Sequence, residues 1–176
     1  MVAELEDPRR KEPDALLGER KMLESWLDFH RATLLLKCEG LDDGQRKHRP
    51  VATSLLSLHG LVRHMAEVER AWFRRTLLRQ SGLPYIYSTA GTATNDLVFV
   101  PLDKAVWETD LAMWQTECEA SRQAATTREL GDIGLRRGNG QPVSLRWIYD
   151  HMIEEYARHN GHADLIREMV DGAVGW

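Results

Sequence analysis

His64, Glu155 and His159 are side chains of metal-ligating type, and the last two stand four apart in Ser144-Leu-Arg-Trp-Ile-Tyr-Asp-His-Met-Ile-Glu-Glu-Tyr-Ala-Arg-His-Asn-Gly-His162. An α-helix turns about 100° per residue, so a Glu and a His at i and i+4 share a face and can grip one ion from successive turns. Two imidazoles plus a carboxylate leave a divalent ion with open positions for water or substrate, as in catalytic zinc and non-haem iron sites. The third donor must come from another helix, and His64 offers it from the amphipathic run Leu61-Val-Arg-His-Met-Ala-Glu-Val-Glu-Arg-Ala-Trp-Phe73. The same spacing also describes an ordinary surface Glu–His pair, and His64 alone also suits a hydrogen-bonded core histidine. Spacing by itself leaves both readings open.

On a helical wheel His151, Glu155, His159 and His162 fall within an arc of about 80°. His151, one turn before Glu155, is placed to orient its carboxylate, and His162 is a reserve ligand or outer hydrogen-bond partner. His59 lies about 140° from His64 on its own wheel and should not reach the same ion. His30 and His48 read as structural. Glu154, Glu67 and Glu69 read as exposed partners of Arg63, Arg70 or Arg158, and Trp72, Trp114 and Trp147 as core.

Four helical runs must position these groups. The first should begin after Pro13, capped by Asp14, and carry Leu16, Leu17, Leu23, Trp26, Leu27, Leu34 and Leu35 to about Lys37 at threes and fours. A second should open at Thr53 or Ser54 and continue past Trp72 and Phe73 to about Arg79. A third should span about Leu102 to Thr127 with Val106, Leu111, Met113 or Trp114, and Cys118 inward. Ser144 should cap the fourth, which continues through Leu145, Ile148, Met152, Ile153, Tyr156, Leu165, Ile166 and Met169 before Gly172 ends it. The 81–100 and 128–143 segments read as long loops, the former with a short strand at Asp96–Val100. This order predicts an all-α antiparallel four-helix bundle with long connections, in which inward side chains of different helices build a metal site.

At 176 residues the chain suits one domain over 1–176, with 1–13 flexible. No stretch reaches the roughly 18 to 20 apolar residues of a membrane span, and the N-terminus has no apolar signal centre, so cytoplasmic residence is the expectation. The 23 basic residues are interspersed among 27 acidic ones, which gives nucleic-acid binding no support. Cys38 and Cys118, far apart and outside any CxxC, read as reduced and structural. No nucleophile motif and no phosphate-cradling loop stands in the chain, which argues against covalent catalysis and nucleotide use.

The 61–73 and 144–168 runs resemble the two signature segments of the DinB-like superfamily, most closely its actinobacterial mini-circle branch. The resemblance extends over nearly the whole chain, from the Trp26 region to Gly172. It implies a four-helix bundle of DinB type holding a divalent metal through one residue of the second helix and two of the fourth, which fall on His64, Glu155 and His159. Many members carry histidine where this chain has Glu155. The mycothiol-dependent maleylpyruvate isomerase branch likewise pairs Glu and His four apart. Relatives often read His-Arg-Gly-Gln where this chain reads His159-Asn-Gly-His162.

The resemblance implies zinc, nickel or iron as cofactor, together with a low-molecular-weight thiol such as mycothiol, and a small-molecule electrophile as substrate. Arg136, Arg137 and Arg146 are candidates for substrate carboxylates, with solvated loop arginines as the alternative. A non-enzymatic protein stabilised by its metal and a metal-dependent hydrolase remain as alternatives to thiol transfer. A homodimer through the exposed stripe of a long helix is compatible with all three.

Overall fold

The computed structural model describes residues 7–87, 101–136 and 138–174. The expected strand at Asp96–Val100 and Arg137 lie outside the described residues. The architecture is mainly α: α1 (Glu19–Cys38), α2 (Asp43–Lys47), α3 (Leu58–Glu69) running into a π-helix (Arg70–Leu77), α4 (Trp107–Thr126), a hairpin of β1 (Ile133–Leu135) and β2 (Pro142–Ser144), and α5 (Leu145–Asp171). α1 packs along α5 and α3 along α4, while α3 also meets α5. One buried core unites them through Leu27, Leu34, Leu61, Met65, Phe73, Trp114, Ile148, Met152 and Tyr156.

Local chemistry corrects several expected boundaries. Asp14 does not cap α1; its carboxylate accepts from the Leu16 amide in a preceding turn, and Leu16 is 93% exposed with nothing to pack against. Ser54 likewise spends its hydroxyl on the Leu56 amide, so the capping role passes to Ser57, which accepts from Gly60 N at 3.1 Å. α4 begins at Trp107, later than expected, and Val106 is 55% exposed. Ser144 caps α5 through Trp147 N, and Gly172, at φ 79°, supplies the left-handed residue that ends it. Leu165 and Met169, near the end of α5, are exposed. In the N-terminal stretch expected to be flexible, Arg9 binds Glu39 and Arg10 binds Thr33.

Two features stand where a plain helix and a plain loop were expected. The second helical run changes register at Arg70, with Leu78 N donating to Phe73 O at 3.1 Å in the five-residue step of a π-helix. Within the expected loop, Ile133–Leu135 and Pro142–Ser144 pair antiparallel, Ile133 with Ser144 and Leu135 with Pro142. A Cβ at Gly134 would stand 2.7 Å from Thr76 O and 2.9 Å from Leu77 Cα, so only glycine lets β1 seat directly on the π-helix backbone.

α3 is buried along almost its whole length, polar residues included. Glu69, expected on the surface, is fully buried: its carboxylate accepts from Arg31 Nε and Nη2 at 2.8 and 2.7 Å and from the Tyr156 hydroxyl at 2.8 Å. Glu67, also buried, accepts from the amides of Ile86 and Tyr87 and so ties down the chain after the π-helix. Arg70 and Arg74 instead converge on buried Glu117 of α4. Charged residues satisfied in this way can be buried, but sequence pattern alone assigns them to the surface.

His59 turns away from His64, as its wheel position requires, and its Nε2 meets Asp110 Oδ2 at 2.8 Å. Burial pushes the Asp110 carboxyl upward, but the His59 and Tyr87 contacts and the Arg63 charge outweigh it and hold the group below its ordinary value. A carboxyl depressed in the folded chain contributes stability that is present above its unfolded value near about 3.9 and is lost as pH falls through the folded value. Thermal unfolding of wild type is therefore expected to weaken below about pH 4 more steeply than that of Asp110→Asn, by at most about one proton's worth of slope. Equal slopes for the two proteins would show that this pair does not carry the acid sensitivity.

Candidate metal centre

The long frame of α5 places Trp147, His151, Glu155 and His159 at successive four-residue steps, a single stripe facing α3 and the π-helix. His64 enters from α3. One donor atom from each of His64, Glu155 and His159 lies within 4.8 Å of the others. Glu155 Oε2 stands 3.4 Å from His159 Nε2 and 3.9 Å from His64 Nε2, and the two imidazole rings meet edge to face at 4.6 Å between centroids. Four-coordinate bonds of about 2.1 Å put neighbouring donors roughly 3.4 Å apart, so this triangle is the size that one small divalent ion requires. Both histidines are buried and Glu155 is half-buried.

The electrostatics favour the ligating protonation states. The imidazoles of His159 and His64 hold the Glu155 carboxyl far below the ordinary range, against the effect of burial. Burial pushes His64 below its ordinary value, and it does the same to His151 and His162. At neutral pH Glu155 is thus ionised and these imidazoles are uncharged, so their lone pairs are available. His162 Nδ1 lies 3.4 Å from His159 Nδ1, on the far side of that ring from the Nε2 that faces Glu155. His151 Nε2 stands 3.9 Å from Glu155 Oε1, on the side of the carboxylate away from His64. α3 and α5 therefore bring together all five residues singled out from the sequence: His64, Glu155 and His159 as the triangle, with His151 and His162 flanking it. Glu154, as expected, pairs with Arg158 on the outside.

The tryptophans divide. Trp114 is buried and donates to the Tyr156 hydroxyl at 2.9 Å, as a core residue should. Trp72 is partly buried and packs against the core, whereas Trp147 stands outside it. Trp147 is 37% exposed, stacks on His151 at 5.0 Å and 15°, and meets Trp72 of the π-helix at 5.2 Å. Trp72 closes on His151 at 4.5 Å, and Arg136 from the hairpin lies over both indoles. This aromatic tier adjoins the donor triangle. The four-residue ladder 147–151–155–159 was visible in the sequence, but the π-helix that carries Trp72 beside it was not.

The cysteines are free and buried, Cys38 with its thiol pushed up to about 12 and Cys118 higher still by the same burial. Neither is a thiolate at neutral pH, so any sulfur chemistry here uses a thiol brought in from outside.

A family model described as mycothiol-S-transferase matches residues 22–172. The chain belongs to the mycothiol-S-transferase family. The matched span runs from the start of α1 to the end of α5 and includes the donor triangle and the aromatic tier. This mycothiol-S-transferase family is one of the DinB-like superfamily, in agreement with the resemblance of the 61–73 and 144–168 segments. Comparison with curated proteins and with solved structures gives no match. No helix among the described residues is long and apolar enough to cross a membrane.

Proposed function

We propose that this chain holds one divalent ion, of the zinc, nickel or iron class, through His64 Nε2, a Glu155 oxygen and His159 Nε2. With it the chain transfers a mycothiol-type thiol to a small electrophile. The observation that carries the reading is the convergence of these donors from α3 and α5 in a chain whose family description names thiol transfer. In this reading the four long segments form the antiparallel four-helix bundle of DinB type. Cytoplasmic residence and a homodimer through the exposed Leu165 and Met169 belong to the same proposal.

When bound, such an ion lowers the pKa of a coordinated thiol so that a thiolate is present at neutral pH. The chain's own residues do the rest. His162 is placed to hold the His159 tautomer from its Nδ1 side, and His151 flanks the second Glu155 oxygen, which accepts from Arg158 Nη1. In the exchange the S–H bond breaks and its proton passes to solvent. A carbon–sulfur bond forms, and the leaving group departs from the electrophile with its electron pair.

The test is elemental analysis of protein purified without an affinity tag, followed by turnover of mycothiol with 1-chloro-2,4-dinitrobenzene as a probe. The expected result is about one ion per chain and turnover that chelation abolishes and ion re-addition restores. Turnover without any thiol would replace transfer by hydrolysis. Stoichiometric ion that only raises thermal stability, with no turnover for a panel of electrophiles, would replace it by a structural role.

A further inference from the structure

We infer that Arg136, Trp72 and Trp147 form a seat for a flat organic anion, an aromatic or conjugated carboxylate, beside the donor triangle. Calling that anion the electrophile of the reaction rests on the thiol-transfer reading, whereas its binding stands on the geometry alone.

The guanidinium of Arg136 lies 5.1 Å from the Trp147 ring and 5.5 Å from that of Trp72. Among the described residues it has no hydrogen bond and no carboxylate partner. That sets it apart. Arg31, Arg70, Arg74, Arg122 and Arg167 each hold a carboxylate. A guanidinium lying over aromatic faces keeps its in-plane N–H donors available, and their fork matches a carboxylate's two oxygens. The indoles meanwhile offer a wall that favours a flat apolar body.

The backbone that carries this cation is also held in place. Arg136 N donates to Gln141 O at 2.8 Å and Gly140 N donates to Arg136 O at 2.9 Å, closing the hairpin turn. The hairpin in turn sits on the π-helix through Gly134. A group organised before binding loses less entropy when a ligand arrives. From Trp147 to Glu155 is eight residues, or about 12 Å of helix rise. An acid anchored at Arg136 therefore reaches along His151 toward the donor triangle with one or two rings.

The test is calorimetric titration of the purified chain with 2-naphthoate and with its uncharged isostere 2-naphthamide. Wild type is expected to bind the naphthoate at least about 10-fold more tightly than the amide, and Arg136→Gln is expected to lose that preference. Arg136→Lys, which keeps the charge but not the fork, is expected to recover only part of it. His64→Ala, outside the seat, is expected to bind naphthoate within about 3-fold of wild type. The inference is overturned by wild type that shows no preference for the anion, by Arg136→Gln that binds as wild type does, or by loss of binding in His64→Ala. If Arg136→Gln alone loses the anion while the wild-type chain carries neither ion nor thiol turnover, the seat stands and the transferase reading falls.

Discussion

Replacing His64 by alanine is expected to strip the ion from the protein and take thiol transfer with it. His64 is the only donor of the triangle that α3 contributes, so its loss leaves Glu155 and His159 as a two-point grip on one helix. Outer partners of metal ligands typically contribute 10- to 100-fold in affinity, and a direct ligand should exceed that, by about 100-fold or more. Because a methyl group replaces an imidazole that is 8% exposed, the fold should survive with a modest loss of stability. Metal content after dialysis against a weak chelator, read beside the far-ultraviolet circular dichroism, separates lost ligation from lost structure. Stoichiometric ion retained by a folded His64→Ala protein would move the ligand set elsewhere. His162→Ala should produce the milder effect of an outer partner, and the ratio between the two variants places each residue in its shell.

The largest stability effect is expected at the buried pair Arg31–Glu69. Both side chains are almost wholly out of solvent, and Glu69 also receives the Tyr156 hydroxyl. Glu69→Met leaves a buried guanidinium with only the half-exposed Asp28 as partner, a situation that costs about 3–5 kcal/mol. For a chain of this length each kcal/mol moves the Tm by roughly 2–4 °C, so a fall of roughly 6–20 °C is expected. Removing both charges in Arg31→Met/Glu69→Met should recover much of that loss, because no unpaired ion then remains inside. A single variant that melts within about 2 °C of wild type would show that water reaches the pair.

The sequence made the long helices and the donor residues legible for one reason: both depend on spacing along a single helix or on a cap beside it. Ser144 as a cap, Gly172 as a stop and the Glu155–His159 step are of this kind. What could not be read depended on partners distant in sequence. Glu69 looks like a surface acid until Arg31, from a different helix, is placed opposite it. Ser54 and Ser57 are equally good caps on paper, and the choice falls to the one whose hydroxyl is not already engaged by its own turn. The hairpin strands are too short to show alternation, and a π-helix has the same composition as the α-helix it interrupts. The split among the tryptophans has the same origin, since Trp72 and Trp147 meet from different helices.

Gly134 has a further implication for how such a protein diversifies. With Thr76 and Leu77 pressed against its bare α-carbon, the hairpin and the π-helix form one welded unit, and the segment carrying Arg136 cannot hinge away without opening that joint. Descendants that acquire new substrates are therefore expected to do so by exchanging individual side chains at 72, 136 or 147 on an unchanged chassis, rather than by remodelling the loop that bears them.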